Sequence, residues 1–166
     1  MASASSNGRT FWTAALTIFA GDVVTKYLAV TRLMPHMPRN VFGPFARLTL
    51  AYNPYAAFSM SLGSFSRVIF GTFAAVALVV LWRIHRQTGP GEALKSLALG
   101  LAWGGAAGNL LDRLRSPRGV VDFIDIGVGR IRFWTFNVAD SGVTIGVCLL
   151  AWILWQEERR RAPASD

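Results

Sequence analysis

The sequence predicts an all-α membrane protein, four transmembrane helices with a small β-sheet element outside them. Three observations predict it. Of 166 residues, 52% are hydrophobic and only 16% charged, which is too apolar for an average soluble domain and, at this length, enough for one domain, 1-166. Four apolar runs, at about 11-30, 68-83, 93-112 and 140-156, have the length a helix needs to cross a bilayer. The two larger segments between them, about 31-66 and 113-139, carry prolines, glycines and alternating side chains, and an even number of spans puts both on the same side.

The first run, Phe11 to Val30, follows a short polar stretch containing Arg9. Arg9, Phe11 to Phe19 and Ala20-Gly21 together mimic the three regions of a cleaved signal peptide, but the run continues past Gly21 as a span would. Inside it Asp22 and Lys26 stand four residues apart on one helix face, so they can pair. A charge near mid-membrane costs about 2.5 to 3.5 kcal/mol, so the pair should face protein or water, either as a structural tie or as lining of a site.

In the first large segment Pro35, Pro38 and Pro44 exclude a long helix. Phe45 to Asn53 alternates, Arg47, Thr49 and Ala51 against Leu48, Leu50 and Tyr52, and reads as a half-buried strand. Asn53-Pro54-Tyr55 is a turn, and Ala56 to Met60 an apolar lip suited to the membrane interface. Val68 to Trp82 is an uncharged span closed by Arg83, His85, Arg86 and the turn Gly89-Pro90-Gly91. The third span carries Gly100, Gly104 and Gly108 at spacings of four, a face that lets a neighbouring backbone approach, with Gly142 and Gly146 of the fourth span as the matching groove. At its end Asn109 and Arg113 share a face beside Asp112, and packing does not explain three such groups; a hydrogen-bonded network does.

After Gly119 the pattern reads as a hairpin: Val120 to Ile126, a turn at Gly127-Val128-Gly129, then Arg130 to Phe136. Strand alternation points Asp122 one way, among apolar neighbours, and Asp125 the other way toward solvent. Asp140 opens the last span in a first helical turn, where the positive dipole end favours an anion; a plain helix cap is the competing reading. Asp122 and Asp140 are thus two carboxylates in apolar sequence, separated by little more than one strand. Two carboxylates sharing a proton are what acid/base activation of water needs, which points to an intramembrane aspartic peptidase.

Other chemistries fare worse. The net charge of +8 is not laid out as a basic stripe with interleaved aromatics, so no nucleic-acid partner is expected. Cys148 is alone in an apolar run and reads as inert packing. His36 and His85 sit apart in loops, and no metal or cofactor site is expected. A serine protease with Lys26 as base for Ser59, Ser61 or Ser141 has nothing to bring those groups together. A proton-relaying transporter would use buried aspartates but shows no internal repeat. Basic residues divide seven to the side of the termini and nine to the larger segments, which orients the chain poorly; the cluster Arg159 to Arg161 leans toward cytoplasmic termini.

Taken in order, Asp22-x-x-x-Lys26, Asn53 to Phe58, Gly104-Gly105-x-x-Gly108-Asn109-x-x-Asp112-Arg113, Val120-Val121-Asp122-Phe123 and Phe136-Asn137-x-Ala139-Asp140-Ser141 resemble the lipoprotein signal peptidase family, signal peptidase II. The resemblance covers nearly the whole chain. It implies a fold of four helices with a small extracytoplasmic β-cradle and an interfacial helix, in the bacterial inner membrane, with both termini cytoplasmic and the active site near the outer face. It implies a globomycin-sensitive monomer that cuts a lipid-modified prolipoprotein substrate just before the diacylglyceryl cysteine, in contact with membrane lipid. By resemblance Asp122 and Asp140 are the catalytic pair, and Asp22, Lys26, Asn53, Asn109, Asp112, Arg113 and Asn137 support it. One departure stands out: Tyr55, after Pro54, occupies the place of a family glycine, so the turn there must differ.

Overall fold

A computed structural model describes residues 2–54 and 65–161. They form α1 (Ala2–Arg32), β1 (Arg39–Phe42), β2 (Ala46–Asn53), α2 (Ser66–Arg86), α3 (Ala93–Arg115), β3 (Val120–Val128), β4 (Ile131–Arg132) and α4 (Val138–Arg161). The apolar lip, Tyr55, Phe58, Ser59 and Ser61 lie outside the described residues.

Helix α3 is the centre of the bundle, packing against α1, α2 and α4. Its glycines explain how. A methyl group at Gly100 or Gly104 would strike the backbone of Phe11 or Ala15 in α1, and one at Gly105 would strike Ala139 and Val143 in α4. Small residues therefore let three backbones meet where side chains would hold them apart. The glycine row 100, 104, 108 faces α1, not α4 as the spacing alone suggested. Gly142 and Gly146 of α4 instead approach Leu101, Ala98 and Ala102.

Three helices, Ser6–Arg32 within α1, α2, and Val138–Arg160 within α4, are long and apolar enough to cross a membrane. Their outward faces are apolar: Leu16, Val24, Phe73, Val79, Ile145 and Leu154 are all exposed. Cys148 is also exposed, on the outer side of α4 rather than packed. Helix α1 runs unbroken through Gly21. Asn7 donates to Gly89 O, and Lys95 lies 3.7 Å from Glu157, so the start of α1 and the last turns of α4 gather with the α2–α3 turn, opposite the sheet. His85, expected in a loop, is in the last turn of α2, buried and stacked on Phe11 with ring centroids 4.1 Å apart.

The sheet is four-stranded, ordered β1-β2-β3-β4, with antiparallel pairings throughout. The expected strand from Phe45 to Asn53 is β2, and its Leu50 joins Ala29, Val121 and Phe123 in a core between sheet and α1. Strand β1 was not anticipated. The second hairpin strand is shorter than Arg130 to Phe136: pairing stops after Arg132, and Phe136 re-joins opposite Ile124 one residue out of register. The chain leaves the ladder at Trp134 and Thr135, which lets it turn into α4.

Candidate active site

A bulge in β2 sets the face on which Asp122 stands. From Ala46 to Leu48 the register with β3 pairs Arg47 with Asp125, but beyond an irregularity between Leu48 and Ala51 it pairs Ala51 with Asp122. An unbroken ladder would have put Asp122 opposite Leu50, on the core side. The extra residue sends Leu50 inward and aligns Ala51, Asn53 and Asp122 on one face, since one residue of slip exchanges the two faces of a strand. Asn53 then reaches diagonally, its Nδ2 3.3 Å from Asp122 Oδ2. Asp122 is buried among asparagines, not among the apolar neighbours that alternation suggested.

Asp140 is placed by helix capping. Asn137 precedes α4, and its Oδ1 accepts the Asp140 N–H at 2.8 Å while Asp140 Oδ2 accepts the Asn137 N–H at 3.2 Å. This reciprocal pair is a capping box, with asparagine as cap and aspartate in the third helical position. Asp140 is therefore both a cap and something more. Its other oxygen accepts Asn109 Nδ2 at 2.7 Å. Asn137 also donates its amide to Asp122 Oδ1 at 2.7 Å. One buried asparagine thus holds both carboxylates.

The network continues into the helices. Lys26 Nζ lies 2.7 Å from Asp22 Oδ2, 2.9 Å from Asp112 Oδ2 and 3.0 Å from Asn109 Oδ1. Lysine can only donate, so it fixes the Asn109 amide with its oxygen toward Lys26 and its NH2 toward Asp140. Asp22 caps α4 from outside by accepting the Ala139 N–H at 2.9 Å, and Asp112 accepts the Val121 N–H at 3.2 Å, one residue before Asp122. Arg113 donates to Asn109 O at 3.1 Å and interacts electrostatically with Asp140, Asp122 and Asp112. All nine residues singled out in the sequence meet at this end of the bundle. Sequence reasoning missed Arg115, whose guanidinium is 2.6 Å from Asp112 Oδ1. The three-residue helical spacing would have found it.

Burial, and next the charge of Asp140, push the Asp122 carboxyl up to about 7, against the hydrogen bonds from Asn53 and Asn137. Asp125 is not solvated as expected: it is buried, accepts Thr49 Oγ1 at 2.9 Å and pairs with Arg132. Arg132 also donates to Pro44 O at 3.0 Å and Asp125 O at 3.0 Å, so this cluster clamps the two hairpin tips together. Ser141 donates to Asn137 O, and Lys26 is engaged by two carboxylates, so no described serine is served by that lysine.

Comparison with known proteins places the chain among membrane peptidases. The family model described as "Signal peptidase (SPase) II" matches residues 14–156. Proteins named lipoprotein signal peptidase are similar: that of Moorella thermoacetica is 40% identical, covering 84% of this chain and 89% of its own. That of Coxiella burnetii is 43% identical, covering 84% and 85%, and that of Mycolicibacterium smegmatis 42% identical, covering 95% and 68%. A solved bacterial membrane enzyme superposes with a TM-score of 0.84 at 28% identity, over 95% of this chain and 94% of that one. The chain belongs to the signal peptidase II family.

Proposed function

We propose that this peptidase, which removes signal peptides from prolipoproteins, does so as an aspartic endopeptidase with Asp122 and Asp140 as its catalytic pair. The observation that carries this is Asn137, whose amide binds Asp122 while its backbone N–H binds Asp140, holding two carboxylates with one proton between them. Asp122 carries the proton, as its raised value favours. Asp140, at a helix N-terminus and receiving the Asn109 amide, is the resting anion. The anion takes a proton from water, the water oxygen attacks the scissile carbonyl, and Asp122 donates its proton to the oxyanion or the leaving amine. Asn53, Asn109, Asn137 and Arg113 orient substrate, while Asp22, Lys26 and Asp112 hold the frame.

The chain acts as one domain and as a monomer. Helix α3 is the fourth span. At 23 residues it is about 35 Å long, and its lower apolarity follows from its central place, where glycine and alanine replace lipid-facing side chains. The termini are cytoplasmic and the site stands near the outer face of the inner membrane. The substrate is a diacylglyceryl-modified prolipoprotein cut just before the modified cysteine, its lipid chains lying against the helices. Purified protein incubated with a lipid-modified prolipoprotein should convert it to a faster-migrating product on a gel, and an unmodified precursor should stay intact. No conversion, or equal conversion of both precursors, contradicts the reading.

A further inference from the structure

At the far end of the bundle from Asp122 and Asp140, a groove of about 600 Å³ runs along α1 against α3. Arg9 stands near its start, Thr13 and Thr17 line it further down, and Ile18, Leu97 and Leu101 form its apolar floor. Arg9 is exposed and makes no ion pair among the described residues. From Arg9 to Ile18 is about 14 Å of helix, close to the depth of one leaflet in a hydrocarbon core of about 30 Å. A cation at headgroup depth, hydroxyls below it and an apolar floor toward the bilayer centre match an amphiphile with an anionic head and an alkyl chain. The volume lies within the roughly 300–1,000 Å³ of small-molecule sites, and a partner helix would need no cation at the mouth. We propose that this groove holds one anionic phospholipid of the leaflet opposite the active site. The proposal rests on α1 crossing the membrane and is independent of the peptidase chemistry.

The test is native mass spectrometry of delipidated, detergent-solubilised protein offered phosphatidylglycerol and phosphatidylcholine in equal amounts. The wild type should retain one phosphatidylglycerol in preference, Arg9→Gln should lower that preference about fivefold, and Arg9→Lys should keep it. Thr17→Trp, which fills the groove, should reduce retention of both lipids. Signal-peptide cleavage in detergent should be unchanged in all three variants. An undiminished preference in Arg9→Gln, displacement of the lipid by inorganic phosphate, or a dimer in place of a bound lipid would each overturn the proposal.

Discussion

Two pairs of carboxylates share one buried network and are treated differently. Asp22 and Asp112 both touch Lys26 Nζ, at 2.7 and 2.9 Å, and each also caps a backbone N–H. Asp122 and Asp140 take their hydrogen bonds from asparagine amides and a backbone N–H instead. The first pair is compensated by a direct positive charge and serves the frame. The second is held by amides, with Arg113 acting on both of its members electrostatically, and on the proposed mechanism it is this pair that shares a proton. Burial alone does not distinguish them, since Asp22, Asp112 and Asp122 are all buried. The contacting atom does.

The largest effect should come from breaking the second pair. Asp122→Asn and Asp140→Asn each keep shape but remove proton exchange, so turnover of a lipid-modified prolipoprotein should fall by about 10² to 10⁴ with substrate still bound, and the double variant should be little worse than either single one. Loss of binding and turnover together would move both residues into the frame. Breaking the first pair should act on folding. Lys26→Met leaves Asp22 without its cation and Asp112 with Arg115 alone and should cost on the order of 3–5 kcal/mol, seen as lost folded yield, whereas Lys26→Arg should largely retain it. Equal losses in the two variants would show that Lys26 is not the compensating charge.

A smaller effect should follow from shifting Asp140 without touching it. A methyl group at Gly105 meets the Ala139 carbonyl, so α4 must move at the turn that carries Asp140. Gly105→Ala should lower kcat by about tenfold to a hundredfold, while Gly8→Ala, with open space around it, should leave kcat alone. Smallest on activity is Asp125→Asn, which loosens the Arg132 clamp. It should lower stability by about 1–3 kcal/mol and leave turnover within about twofold. A catalytic loss comparable with that of Asp122→Asn would erase the distinction between the faces of β3.

The charged residues inside apolar sequence were the legible part. Asp22 with Lys26, and Asp122 with Asp140, announce themselves because hydrocarbon surroundings tolerate them only with a partner or a task. The helices were legible from apolar length, and β2 from its alternation. Strand β1 was not, because all four of its residues are exposed and its sequence, Arg-Asn-Val-Phe, alternates nothing. The burial of Asp125 was hidden because its cation, Arg132, arrives across a hairpin whose register the sequence does not state. The facing of the α3 glycines needed the neighbours as well as the spacing. The bulge between Leu48 and Ala51 left no mark in composition, yet it decides which way Asp122 points.

Stability should carry the signature of the buried Asp122 carboxyl. Because Asp122 is raised from 3.8 to about 7, the folded state binds its proton more tightly than the unfolded one. Its contribution is fully present below pH 3.8 and is lost as pH rises through about 7. Asp122→Asn should therefore gain stability relative to wild type as pH rises through that window. Activity that requires a protonated Asp122 should decline above about pH 7.

The most direct test is a titration of Asp122 itself, followed by 13C NMR of carboxyl-labelled protein in detergent micelles, in the wild type and in Asp140→Asn. A shared proton predicts a midpoint near 7 in the wild type and a lower one once the Asp140 charge is gone, with burial still holding it above the ordinary carboxylate range. A wild-type midpoint at the ordinary value, or one that Asp140→Asn does not move, would contradict it.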